Sequence, residues 1–91
     1  MPLRTVIEED RFTTDIDSFR RRYEGIDELH ATVTYILAEY PRMGTPLRIA
    51  PDFYVYETLP VANTPAFWIL YTFDDLHVYF HSIQQTGQLS W

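Results

Sequence analysis

The stretch that most limits how this chain can fold is 66–83, AFWILYTFDDLHVYFHSI, where strand-forming residues alternate on both sides of a turn. Phe67, Ile69, Tyr71 and Phe73 alternate with Trp68, Leu70 and Thr72; after Asp74-Asp75, Leu76, Val78 and Phe80 alternate with His77, Tyr79 and His81. A period of two sends one set to each face of a sheet, so the stretch reads as a β-hairpin with one apolar and one mixed face. If the two aspartates form the loop, Phe73 stands opposite Leu76, Tyr71 opposite Val78 and Ile69 opposite Phe80. Asp-Asp is a poor two-residue turn because both residues would need positive φ, and a wider loop of the same parity keeps the same faces.

A chain of 91 residues with 46% hydrophobic content makes one domain, 1–91, able to bury a core. It has no cysteine, which excludes a disulfide framework and a thiolate metal site, and no metal or cofactor is expected. The start, MPLRTVIEEDRF, lacks the basic-then-apolar pattern of a signal peptide, and no run approaches the roughly 20 apolar residues that cross a bilayer. Cytoplasmic residence without membrane contact is the expectation. Thirteen acids against seven bases give a formal charge of −6, and every base is an arginine: Arg4, Arg11, Arg20, Arg21, Arg22, Arg42 and Arg48. A free-standing nucleic-acid binder draws much of its affinity from neutralising phosphates, so the overall field opposes that role. The run Arg20, Arg21, Arg22 still offers a local positive patch.

Residues 3–7 (LRTVI) read as a short strand, and Glu8, Glu9 and Asp10 break its pattern. Thr13, Thr14 and Asp15 predict a helix start, with Ile16, Phe19 and Tyr23 forming one stripe over 15–24 and Gly25 ending it. Asp27 predicts the cap of a second helix with Ile26 as staple; Leu29, Val33, Ile36, Leu37 and Tyr40 recur at helical spacing up to Pro41. A Pro- and Gly-containing loop over 41–46 leads to a strand at 52–59, and 60–65 connects it to the hairpin. The predicted order is β-α-α-β-β-β: an α+β fold in which a helical hairpin packs on one face of an antiparallel sheet. Trp68, Thr72, His77, Tyr79 and His81 fall on the opposite, partly open face.

This order, with the helix pair ending in YPRMGTPL (40–47), the strand PDFYVYE (51–57) and the hairpin ILYTFDDLHVYFHSI, resembles the RelE/ParE superfamily of toxins from toxin–antitoxin pairs. The aliphatic-aliphatic-Tyr step common in that family is similar to Ile69-Leu70-Tyr71. The resemblance implies an antitoxin partner and one of two targets: the ribosome with its mRNA, cut by a ribosome-dependent endoribonuclease, or DNA gyrase. Cleavage would need a base for the 2′-hydroxyl, cations for the phosphorane and an acid for the leaving oxygen. For these tasks the resemblance points to the positions of Arg48 and Tyr54, and the strand spacing adds His77 and His81 as base and acid. Tyr54 stands where the family commonly has an arginine, and Gln84-Gln85-Thr86-Gly87 supplies no base where basic residues usually follow the last strand.

The residues leave several readings open. His77 and His81, four apart on one strand, share a face and could exchange protons or join His30 at a metal, or simply be exposed strand residues. Tyr54, Tyr56, Tyr79 and Trp68 could stack bases or pack against a core or partner. Arg20, Arg21 and Arg22 could meet phosphates or an acidic partner, or pair with nearby acids at a solvated helix end. A binding surface would comprise this arginine run with Trp68, Tyr79 and Trp91. The alternative to a toxin is a non-catalytic protein-binding module on the same fold, or one that self-associates as a homodimer through that face.

Overall fold

The computed structural model describes residues 3–61 and 63–86. Among these, the chain forms β1 (Thr5–Glu8), α1 (Asp10–Arg20), α2 (Ile26–Glu39), a 3-10 turn at Pro41–Met43, β2 (Thr45–Pro46), β3 (Tyr54–Glu57), β4 (Phe67–Phe73) and β5 (His77–Gln85). The strands make one sheet in the order β1-β5-β4-β3-β2. Both helices pack on one face: Phe12 and Ile16 of α1 and Ile26, Val33 and Leu37 of α2 share a core with Phe67, Ile69, Tyr71, Val78, Phe80 and Ile83.

The α+β layering is as expected, but the sheet is mixed rather than antiparallel. β1 runs parallel to β5, pairing Thr5 with His77, Val6 with Val78, Ile7 with Tyr79 and Glu8 with Phe80. These two strands are far apart in the chain, so no tight turn forces them antiparallel, and the helix pair serves as part of the long crossover that parallel strands need. A fifth strand, the two-residue β2, pairs with β3.

The hairpin has the predicted parity with a wider loop. Phe73 pairs with Val78 and Tyr71 with Phe80, while Leu76 is 70% exposed outside the ladder. The turn is built by one carboxylate: Asp74 Oδ1 accepts the backbone N–H of Leu76 (2.8 Å) and of His77 (2.7 Å). Those N–H bonds, first that from Leu76, hold the Asp74 carboxyl below its ordinary pKa. Further along, Leu70 pairs with Ser82 although Tyr71 pairs with Phe80, so His81 is a bulge residue. That extra residue brings Ile83 rather than Ser82 opposite Ile69, restoring an apolar pair in the core.

Both helices depart from their predicted starts. α1 begins at Asp10 behind Glu9, with Thr13 N–H bonded to Glu9 O at 3.0 Å, instead of at the Thr-Thr-Asp cap. The earlier start brings Phe12 into the core, 5.0 Å from the Phe80 ring. α1 ends at Arg20, short of Gly25, which instead precedes Ile26 as the N-cap of α2. A Cβ on Gly25 would lie 2.6 Å from Thr64 Oγ1, so glycine lets the α2 start abut the 58–65 connection.

Candidate functional site

The side of the sheet that faces away from the helices is the candidate interaction surface; it is half-buried at Trp68, Leu70, Thr72 and Tyr79 and buried at Ser82 and Gln84. Alternation on β4 turns Trp68, Leu70 and Thr72 away from the helices, while Phe67, Ile69 and Tyr71 are buried beneath them. Tyr79 is on the same outer side, because its neighbours Val78 and Phe80 are core residues, and the parallel register sets Ile7 beside it. The Tyr79 hydroxyl donates to Asp74 Oδ2 at 3.3 Å, and partial desolvation, helped by that negative charge, raises the phenol pKa.

His81 sits at the centre of a polar cluster on this side. Its Nδ1 lies 2.9 Å from Glu9 Oε1 and its Nε2 lies 2.8 Å from Thr72 Oγ1, with the Phe53 ring 5.3 Å away. A carboxylate only accepts, so Nδ1 carries a proton toward Glu9; in the neutral ring Nε2 then accepts the Thr72 hydroxyl. Both ring nitrogens are therefore occupied, and the imidazole can serve a ligand only by giving up one of these bonds. Glu9 is 72 positions from His81 in the chain and arrives because β1 runs beside β5. Sequence spacing therefore offered no carboxylate partner for His81. Only the parallel pairing of the first and last strands supplies one, and no local pattern encodes that pairing.

The four residues assigned to cleavage are divided between different places. Tyr54 lies on the helix side of the sheet, its ring 5.1 Å from Phe73 and 5.8 Å from Tyr71, opposite the side that carries His81. His77 stands at the hairpin mouth, its Nδ1 3.4 Å from Asp74 Oδ1 and its ring 5.7 Å from that of Tyr79. Arg48 is exposed on the loop between β2 and β3, which Leu47 N–H to Phe53 O (2.8 Å) and Phe53 N–H to Ala50 O (2.9 Å) close. His30 belongs to the helix side: it pairs with Glu8 and lies 5.8 Å from the Phe12 ring. Among the described residues, no group of three or more His, Asp or Glu side chains is arranged to hold a metal ion.

The binding residues are likewise separated. Tyr54 and Tyr56 pack toward the core and Trp68 and Tyr79 toward the open side, so the four aromatics form no single stacking surface. Arg20 is held between Asp17 and Asp27, and its hydrogen bond to Asp27 above all raises its pKa. Arg22 lies over the Tyr23 ring at 5.4 Å and the Phe19 ring at 5.9 Å, and all three arginines of the run are exposed. Trp91 lies outside the described residues. A second basic feature is formed by Arg4 and Arg42, whose guanidinium carbons lie 6.0 and 5.5 Å from the Phe73 ring centroid.

No helix among the described residues is long and apolar enough to cross a membrane. Comparison with known proteins finds no matching family model and no matching curated protein.

Proposed function

We propose that this chain works by binding a macromolecule through the sheet side opposite its helices, as a RelE/ParE-like toxin-family protein neutralised by an antitoxin. The target class is the ribosome with its mRNA, or DNA gyrase. The observation that carries this reading is the side bearing Trp68, Leu70, Thr72 and Tyr79, which the two helices leave uncovered while they bury the other. Aromatic and aliphatic side chains on a rigid sheet suit a contact surface that does not rely on positive charge, as a chain of charge −6 requires. Binding rather than cleavage is favoured, since Tyr54 lies across the sheet from His81 and both His81 nitrogens are engaged.

Induced expression in a bacterial host tests this reading. Arg48→Ala and His81→Ala retain growth arrest under the binding reading, whereas loss of arrest with folding intact would favour the ribonuclease. Absence of arrest from the wild-type chain, with no antitoxin gene beside its own, would favour the alternative of a protein-binding or self-associating module.

A further inference from the structure

We propose that two copies of this chain associate about a two-fold axis by pairing their β1 strands antiparallel, centred on Val6. This goes beyond the binding reading above and uses an edge of the sheet rather than its open side. β1 is the outermost strand, and Thr5 N–H bonds Leu76 O at 2.9 Å while Glu9 N–H bonds Phe80 O at 3.0 Å, both toward β5. Alternation along the strand therefore turns the backbone N–H and C=O of Val6 and Glu8 outward. Arg4 N–H, on the same outward side, reaches Ala38 O at 3.1 Å. The opposite edge is blunted: β2 has two residues and ends at Pro46, which has no N–H to give. Among the described residues, β1 has no such guard at Val6 and Glu8, and α2 takes only the Arg4 N–H.

The sequence of this edge, Arg4-Thr5-Val6-Ile7-Glu8, is complementary to itself when reversed. Antiparallel pairing about Val6 sets Arg4 opposite Glu8 of the second copy, twice, and Thr5 opposite Ile7, twice. Opposite-charge and β-branched cross-strand pairs are both favourable. A slip of two residues either way puts Arg4 or Glu8 against Val6, and a slip of four puts like charge on like. The outward backbone groups belong to the even-numbered residues that this register pairs, so Val6 exchanges both bonds with its counterpart, while each Arg4–Glu8 pair makes one, from the Glu8 N–H to Arg4 O, because the Arg4 N–H stays on Ala38 O.

The flanks of the edge fit the same occupant. Large apolar side chains are exposed on both flanks of the strand: Leu3 (49%) and Tyr35 (58%) on the helix side and Ile7 (40%) beside Tyr79 on the other. On the helix side a groove of about 610 Å³ is lined by Leu3, Val6, Ala31, Thr34 and Tyr35, among others, and the small Ala31 and Thr34 leave room for α2 of the second copy. Arg4 uses Nε on Asp74 O at 2.8 Å, and its guanidinium has further donors for a carboxylate.

Sedimentation velocity on the full chain over a dilution series, with amide exchange read at Val6 and Glu8, tests the proposal. The wild type is expected to shift from monomer to dimer, and exchange at both amides to slow as concentration rises. Arg4→Glu and Glu8→Arg each set like charges face to face at both pairs, raising the dissociation constant about ten-fold or more. Mixed together, these two variants are expected to form a heterodimer in which every glutamate meets an arginine, an outcome that damage to either fold cannot produce. A wild type that stays monomeric, a dimer that both single variants preserve, or a mixture without heterodimer would overturn the proposal. If either variant fails to fold, exchange at Val6 and Glu8 that does not change with concentration overturns it.

Discussion

The Tyr71 hydroxyl donates to the carbonyl oxygen of Pro41 at 2.6 Å and accepts the Gly44 N–H at 3.0 Å, tying the middle of β4 to the turn that follows α2. Tyr71 is fully buried, and burial pushes its phenol pKa up to about 12. Tyr71→Phe leaves the Pro41 carbonyl and the Gly44 N–H without this partner and is expected to cost about 1–3 kcal/mol in urea unfolding. The ionisation has a definite sign. A phenol whose folded pKa is raised contributes stability that is complete below its ordinary value of about 10 and is lost as pH climbs toward the folded value. Wild-type stability should therefore fall more steeply on the alkaline side than that of Tyr71→Phe, which keeps the raised phenol of Tyr79.

Gly25 and Thr64 form a second close approach, and it can be tested by a mutant cycle. Gly25→Ala places a methyl 2.6 Å from Thr64 Oγ1 and is expected to lower the melting temperature. Thr64→Ala removes Oγ1 and leaves a Cβ at 3.5 Å, an ordinary contact. The cost of Gly25→Ala should then largely vanish in the Thr64→Ala background, a non-additivity that calorimetry of the four proteins would show.

Asp74 makes the hairpin loop sensitive to acid. Its lowered pKa means that its contribution is present above the ordinary carboxylate value and lost as pH falls through the folded value. Asp74→Ala is expected to lower the melting temperature at neutral pH, and the gap from wild type should close as the solution is acidified below about pH 4. A gap that stays constant through the acid range would mean that the carboxylate does not form the turn.

Phe12 shows where reading the sequence fell short and why. The hairpin, its faces and the buried set Ile69, Tyr71, Val78 and Phe80 followed from alternation alone, because a period of two leaves little freedom once one face is apolar. The Thr-Thr-Asp signal outweighed Phe12 at the start of α1, yet burial of an aromatic ring decides a helix boundary over a local cap. Truncating this ring, Phe12→Ala, should cost about 3–5 kcal/mol, measurable by urea unfolding. The mixed sheet and the Glu9–His81–Thr72 cluster depend on the long-range register of β1 on β5, which no local pattern encodes. The open side was legible as a set of residues; the bulge at His81 and the engagement of both its nitrogens were not.

The central claim is that the helix-covered side maintains the fold and the open side meets the partner. The most direct measurement is growth after induction of Tyr79→Ala and Trp68→Ala, each first shown by urea unfolding to remain folded. Growth arrest is expected to be lost with each variant while its native state persists. Full arrest from either folded variant would contradict this.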